Sequence, residues 1–162
     1  MRKILSCKGF KCFESMSSAS KSYDLVFTSN VLEHIEDDIG ILKELFCWIK
    51  DGGQLFVYVP AFMFLYSDLD KKAGHFRRYE KKDLVDKLSK VGFVITKCHY
   101  SDSLGYFAWM STKLRNPLKT ENQKSVRFYD RYIFPVSKVL DALGFKHLFG
   151  KNILVCCRKQ AN

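Results

Sequence analysis

Two short stretches of the chain carry most of the residues able to do chemistry. The first is SNVLEHIEDD, where Glu33 and His34 are adjacent and Glu36, Asp37 and Asp38 follow. An imidazole beside carboxylates can serve as a general base or as a metal ligand. The same residues have a purely architectural role open to them. His34 can close a strand–helix junction, and the acids can open a helix whose dipole favours them. The second stretch is AGHFRRY, which ends at Tyr79. His75 can deprotonate a hydroxyl or an amine. Arg77 and Arg78 can hold a phosphate or carboxylate in bidentate fashion, and Tyr79 can hydrogen-bond a bound molecule. Against that, the arginines can pair with Asp68, Asp70 or Glu80, and Tyr79 can anchor the next helix. A loop has no packing reason to carry this set, which favours function for His75 and Arg78.

The surrounding elements place both stretches at strand ends. YDLVFTS, Tyr23 to Ser29, reads as a short buried strand. Asp37 or Asp38 caps a helix running to about Lys50, with Ile41, Leu42, Leu45, Phe46 and Ile49 on one face. Gly52 and Gly53 stop it. QLFVYVP, Gln54 to Pro60, is almost continuously apolar, as suits a parallel strand covered on both faces. Strand, helix and strand together have the length of a right-handed βαβ crossover. A long loop, Ala61 to Tyr79, follows; loops of that length after α/β strands tend to be functional. Then come a helix from Glu80 to Val91 and a strand from Phe93 to Cys98. An aromatic helix spans Ser103 to Leu114, two helical pieces span Ser125 to Leu143, and a last strand runs from Asn152 to Arg158. The whole of 1–162 is one domain, with a basic Ser-rich lead-in over 1–22 and an inserted helical segment over 102–144.

Composition narrows the class. A chain of 162 residues with 47% hydrophobic and 27% charged residues is neither disordered nor collagen-like. A chain of this size can bury roughly 70% of its unfolded surface. Its net charge of +10 favours an anionic partner, whether a phosphorylated small molecule, nucleic acid or an anionic membrane. No RNA-binding motif occurs and the basic residues are dispersed, so nucleic acid is disfavoured. The six cysteines form no CxxC pair and read as buried free thiols, with Cys156 and Cys157 pointing to opposite faces of a strand. The longest apolar stretch is too short to span a membrane, and the expected location is cytoplasmic, with peripheral membrane contact open to the aromatic segments around Trp109 and Tyr132.

These motifs resemble the later part of a class I S-adenosylmethionine-dependent methyltransferase. YDLVFTSNVLEHIEDD, a helix, and DGGQLFVYVPAF resemble that family's fourth strand, its following helix with a Gly-Gly turn, and its fifth strand. GHFRRYEKKDLVDKLSKVGF and ILVCCRK resemble the segments after it. The resemblance implies an α/β, partial Rossmann-like sheet, mostly parallel with an antiparallel C-terminal strand, plus added helices. It implies methyl transfer from S-adenosylmethionine to a small, lipid-linked or glycan-linked acceptor. Ser29, Asn30 and Val31 would then bind the cofactor, Glu33, His34 and His75 would be catalytic, and Arg77, Arg78 and Tyr79 would hold the acceptor.

The chain departs from that family in two ways. No Gly-x-Gly-x-Gly occurs, and too few residues precede Tyr23 for the family's first strands and helices. The expectation is a domain lacking its N-terminal half, whose open sheet edge calls for a homodimer or a partner chain. The alternative function is a non-catalytic half-domain acting in binding or dimerisation, or an RNA- or membrane-surface module. Some ubiquinone-pathway O-methyltransferases bind a divalent cation through Glu-x-x-Glu-His. Asn30 stands in the place of the first glutamate, so no metal is expected.

Overall fold

The apolar runs of the sequence assemble into one four-stranded sheet. The structure, a computed structural model, describes residues 23–114 and 127–161. Strand β1 (Tyr23–Ser29) leads through a short 3-10 turn at Leu32–His34 into helix α1 (Asp38–Trp48), which feeds strand β2 (Ile49–Pro60). A 3-10 turn at Met63–Leu65 and helix α2 (Asp68–Ala73) follow, then helix α3 (Lys81–Val91) and strand β3 (Phe93–Ser101). Helix α4 (Ser103–Leu114) comes next. A π-helical turn at Tyr129–Ile133 runs into helix α5 (Phe134–Ala142), and strand β4 (Asn152–Lys159) closes the chain.

The sheet order is β1-β2-β4-β3. β2 runs parallel to β1, while β4 is antiparallel to both β2 and β3. Three strands therefore point the same way and the C-terminal one opposes them, as the resemblance implies. Register explains the core. Leu55 pairs with Cys157, Val57 with Val155 and Val59 with Ile153. With a side-chain period of two, all six face one side. All are at most 1% exposed, and they join Leu42 and Leu45 of α1 and Leu84 and Leu88 of α3 in one cluster. Each fully buried aliphatic side chain of this kind contributes about 1.5–3 kcal/mol from burial.

The opposite face is only partly covered over β2, where Phe56 and Tyr58 are half-buried, and β1, expected to be a buried strand, is mostly exposed. Over β1 it is open among the described residues, with Leu25 59% and Phe27 71% exposed. The reason is that α1 and α3 pack together on the first face. Asp37 caps α1, its side chain accepting from Gly40 N at 2.9 Å. The Gly-Gly pair does not stop α1. The helix ends at Trp48 and β2 begins at Ile49, so Gly52 and Gly53 lie inside a bulge between the pairs Tyr23–Ile49 and Leu25–Gln54. A Cβ on Gly53 would meet Ile49 Cγ2 at 2.7 Å and the Lys50 carbonyl at 2.9 Å, which is why glycine stands there.

The long loop is also more ordered than expected. It contains α2, opened by a capping box between Ser67 and Asp70. The free thiols of Cys98 and Cys156 are half-buried and that of Cys157 is buried, but Cys47 is exposed on α1. No described helix is long and apolar enough to cross a membrane. The Ser-rich lead-in, Cys7, Cys12 and the polar stretch Asn116 to Lys124 lie outside the described residues.

Candidate active-site cleft

A cleft of about 670 Å³ opens where the parallel strands end. Asn30 follows β1, Tyr58 and Pro60 close β2, Asp102 follows β3, and Lys151 and Asn152 open the antiparallel β4. Its volume lies in the ordinary range for small-molecule sites, and in open α/β sheets ligands bind at this end of the strands. Trp109 of α4 and Tyr129 of the π-helical turn roof it, while Glu33, His75 and Arg78 form a polar wall.

Backbone strain concentrates at the same edge. Among the described residues, the non-glycine residues with left-handed backbone are Asn30 (φ 51°), Phe62 (φ 63°) and Asp102 (φ 64°). Each lies within two residues of the end of a parallel strand. Asn and Asp tolerate this region, but for a phenylalanine it costs roughly 1–2 kcal/mol. Strain of this kind gathers at functional sites, where surrounding contacts over-determine it. Phe62 is held by stacking on Tyr100, with ring centroids 4.9 Å apart.

The polar wall is built around Asp70, whose side chain is fully buried. Arg78 donates to its Oδ1 through Nε at 3.0 Å, and Ser67 donates to Oδ2 from N at 2.9 Å and from Oγ at 3.0 Å. Burial alone would raise the Asp70 carboxyl, but Arg78 and Ser67 together hold it below the usual carboxylate range. His75 Nδ1 lies 2.9 Å from Asp70 Oδ1. A carboxylate only accepts, so Nδ1 carries the proton and Nε2 the lone pair. His34 Nδ1 faces the Gly74 carbonyl at 3.2 Å, which fixes the same tautomer. The two imidazoles meet edge to face, 4.5 Å between centroids.

Glu33 sits between them with no exposed surface, and both carboxylate oxygens lack a hydrogen-bond partner. Burial pushes its carboxyl above the ordinary value, with His75, His34 and Arg78 opposing. The donor atoms of Glu33, His34 and His75 all lie within 4.8 Å of one another.

The roof carries a second polar set. Tyr129 Oη donates to Asp102 at 2.5 Å from Oδ1, and a Cβ on Gly105 would meet that hydroxyl at 2.6 Å. Burial, reinforced by Asp102, pushes the Tyr129 phenol up. Ser103 Oγ and N donate to Asp141, and Asn152 Nδ2 donates to Tyr58 Oη at 2.9 Å. The Arg78 guanidinium lies 4.6 Å and the Lys151 ammonium 4.9 Å from the Trp109 ring centroid. Burial pushes the Lys151 ammonium down, with Asp102 opposing.

Of the residues singled out from the sequence, Asn30, Glu33, His75 and Arg78 line the cleft, and His34 packs behind His75. Ser29 and Val31 are exposed and are not part of its lining. Arg77 and Tyr79 turn away from it. Arg77 pairs with Asp38 at 2.9 Å and donates to the Glu36 carbonyl at 2.8 Å. Tyr79, 1% exposed, donates to Asp38 Oδ2 at 3.0 Å and lies 3.2 Å from the Leu32 carbonyl. These two residues lock the 3-10 turn and α1 to the segment before α3, because Asp38 is the buried acid within their reach. Tyr58, Lys151 and Asn152 are lining residues that sequence reasoning missed, whereas Trp109 and Tyr129 belong to aromatic segments that the sequence offers as cover for the sheet. Tyr58 alone had a signal, as the polar member of β2 on the face opposite Leu55, Val57 and Val59.

Comparison with known proteins agrees with this architecture. The sequence profile of a family described as a methyltransferase domain matches residues 5–97. No curated protein matches the chain. Among solved structures, a SAM-dependent methyltransferase of Thermotoga maritima is 16% identical with a TM-score of 0.60, covering 99% of this chain and 69% of its own. A Bacillus halodurans C-125 protein classed as a methyltransferase is 17% identical with a TM-score of 0.58, over 99% of this chain and 77% of its own. The [4+2]-cyclase SpnF is 18% identical with a TM-score of 0.57, over 99% and 61%. The chain thus spans less than two thirds of the length of the [4+2]-cyclase. The fold they share is that of the class I S-adenosylmethionine-dependent methyltransferases. With more than half of its length matched by that family profile and its cleft at the strand ends, the chain belongs to the methyltransferase domain family.

Proposed function

We propose that the cleft carries out methyl transfer from S-adenosylmethionine to a small, lipid-linked or glycan-linked acceptor. The observation that supports this best is the polar wall of Glu33, His75 and Arg78 facing strained Asn30 at the carboxyl edge of a methyltransferase-family sheet. S-adenosylmethionine, when bound, supplies an electrophilic methyl on a sulfonium. Asn30 would contact it beside the end of β1. His75 would accept the acceptor's proton at Nε2, because Asp70 holds Nδ1 as the donor. Arg78 and Lys151 would favour an anionic acceptor, and Trp109 would cover it and exclude water.

The test uses methyl-labelled S-adenosylmethionine with small-molecule and lipid fractions of a cell extract. His75→Asn should lower label transfer by roughly the 10²–10⁴-fold typical of a lost acid–base group, with cofactor affinity nearly unchanged. Equal transfer by both proteins removes His75 from the mechanism.

A lipid-linked acceptor is favoured by one surface. Phe128, Tyr132, Val136, Val139 and Leu143 recur at helical spacing along the π-helical turn and α5, and each is more than half exposed. Arg131 and Lys138 flank them, the pattern of a helix resting on an anionic membrane. The second reading is non-catalytic. Among the described residues β1 is an edge strand, with Leu25 and Phe27 exposed, which supports a homodimer or a partner chain completing the sheet. A stable monomer by light scattering counts against it.

A further inference from the structure

The geometry points to a divalent transition-metal site formed by Glu33, His34 and His75. Two imidazoles and one carboxylate are a ligand set suited to Zn²⁺, Fe²⁺, Co²⁺ or Mn²⁺, and imidazole disfavours Mg²⁺ and Ca²⁺. Three independent observations carry it. The donor atoms of the three residues converge within 4.8 Å of one another. Around an ion with bonds of about 2.0–2.2 Å, ligand atoms stand roughly 3–3.5 Å apart, so small rotamer changes close the site. Both imidazoles are already in the ligating tautomer. Metal-bound histidines characteristically give their other N–H to a carboxylate or a backbone carbonyl. Here His75 Nδ1 has Asp70 Oδ1 at 2.9 Å and His34 Nδ1 has the Gly74 carbonyl at 3.2 Å.

The third observation is the buried carboxylate. Glu33 has no exposed surface and neither oxygen has a hydrogen-bond partner. A buried carboxylate without a hydrogen-bond partner is costly, and His75, His34 and Arg78 nearby offset that cost only in part. A cation between Glu33 and the two Nε2 lone pairs would offset the rest. The protein supplies three ligands, leaving positions open toward the cleft that Glu33 and His75 line. An ion held there would act as a Lewis acid on an acceptor oxygen and lower the pKa of a coordinated hydroxyl, in place of proton acceptance by His75.

The experiment is a titration of the metal-stripped 162-residue chain with Co²⁺, read by visible absorption, with Zn²⁺ competition by calorimetry. Expected is one ion per chain with a nitrogen–oxygen spectrum free of thiolate charge-transfer bands. Glu33→Gln and His34→Gln should each weaken binding by more than about tenfold, on the scale of losing ligands and their supports. His34 is exposed, so its variant keeps the fold even if the buried position tolerates change poorly. Absence of binding, thiolate bands, or equal affinity in the folded variants overturns the site. The readout needs no S-adenosylmethionine. Its failure is therefore separate from failure of the methyl-transfer reading, which is measured on the unaltered chain by cofactor binding and label transfer.

Discussion

Replacing Asp70 by Asn tests whether the polar wall is held by one buried carboxylate. Asp70 and Arg78 are 0% and 1% exposed at their side chains, so the pair is out of water. Asn has nearly the same volume and can still accept from Ser67, but it leaves the Arg78 guanidinium buried and uncompensated. Breaking a buried pair by removing one partner costs about 3–5 kcal/mol. For a domain of this size each kcal/mol shifts the melting temperature by about 2–4 °C, so the lower end of that cost gives a drop of about 6–12 °C. The pH dependence identifies the cause. The folded Asp70 carboxyl titrates below its unfolded value, so its contribution is fully present above the unfolded pKa of about 3.9 and is lost as pH falls through the depressed one. The gap between wild type and Asp70→Asn should therefore be constant from neutral pH to about pH 5 and close below about pH 4. Thermal melts by circular dichroism, in chelator and at stepped pH, measure it. A drop under about 2 °C, or a gap still full at pH 3, refutes the reasoning.

Other perturbations give separate readings. Leu42→Ala empties a site with no exposed surface at the centre of the core and should cost about 2–5 kcal/mol in denaturant unfolding; a smaller loss would mean α1 is not packed as described. Glu33 titrates in the opposite sense from Asp70, because burial raises its folded pKa. Without metal its ionisation destabilises the fold as pH rises above the unfolded value, so Glu33→Gln should gain melting temperature over wild type between pH 4 and 7, and a pH-independent difference contradicts this. Val139→Asp with Leu143→Asp should abolish co-sedimentation with anionic vesicles while leaving the melting temperature within a few degrees; retained binding would remove the membrane surface from the proposal.

The sheet was legible because its strands are short apolar runs and its helices carry a clean face. Leu84 and Leu88, or Val57 and Val59, state their burial by spacing alone. Boundaries failed where tertiary geometry overrode local chemistry. Gly52 and Gly53 look like a helix stop, yet the bulge against β1 needs them after the strand has begun. His75 and Arg78 were visible because a loop rarely carries them without cause. Arg77 and Tyr79 stand one position away on either side of Arg78, and only the buried Asp38 decides that they turn away from the cleft. Lys151 and Asn152 were illegible because the cleft brings them in from a distant segment, and single residues at strand ends leave no period to read. The convergence of Glu33 with His75 is likewise a long-range contact, set by Phe76 N donating to the Glu33 carbonyl at 2.7 Å.

The most direct test of the account is calorimetric titration of the 162-residue chain with S-adenosylmethionine and with its demethylated product. The account predicts saturable binding of both, at roughly the micromolar-to-millimolar level of ordinary enzyme ligands, weakened by Asn30→Ala. A folded sample that takes up neither, or whose binding is indifferent to Asn30, would contradict a cofactor site at the end of β1.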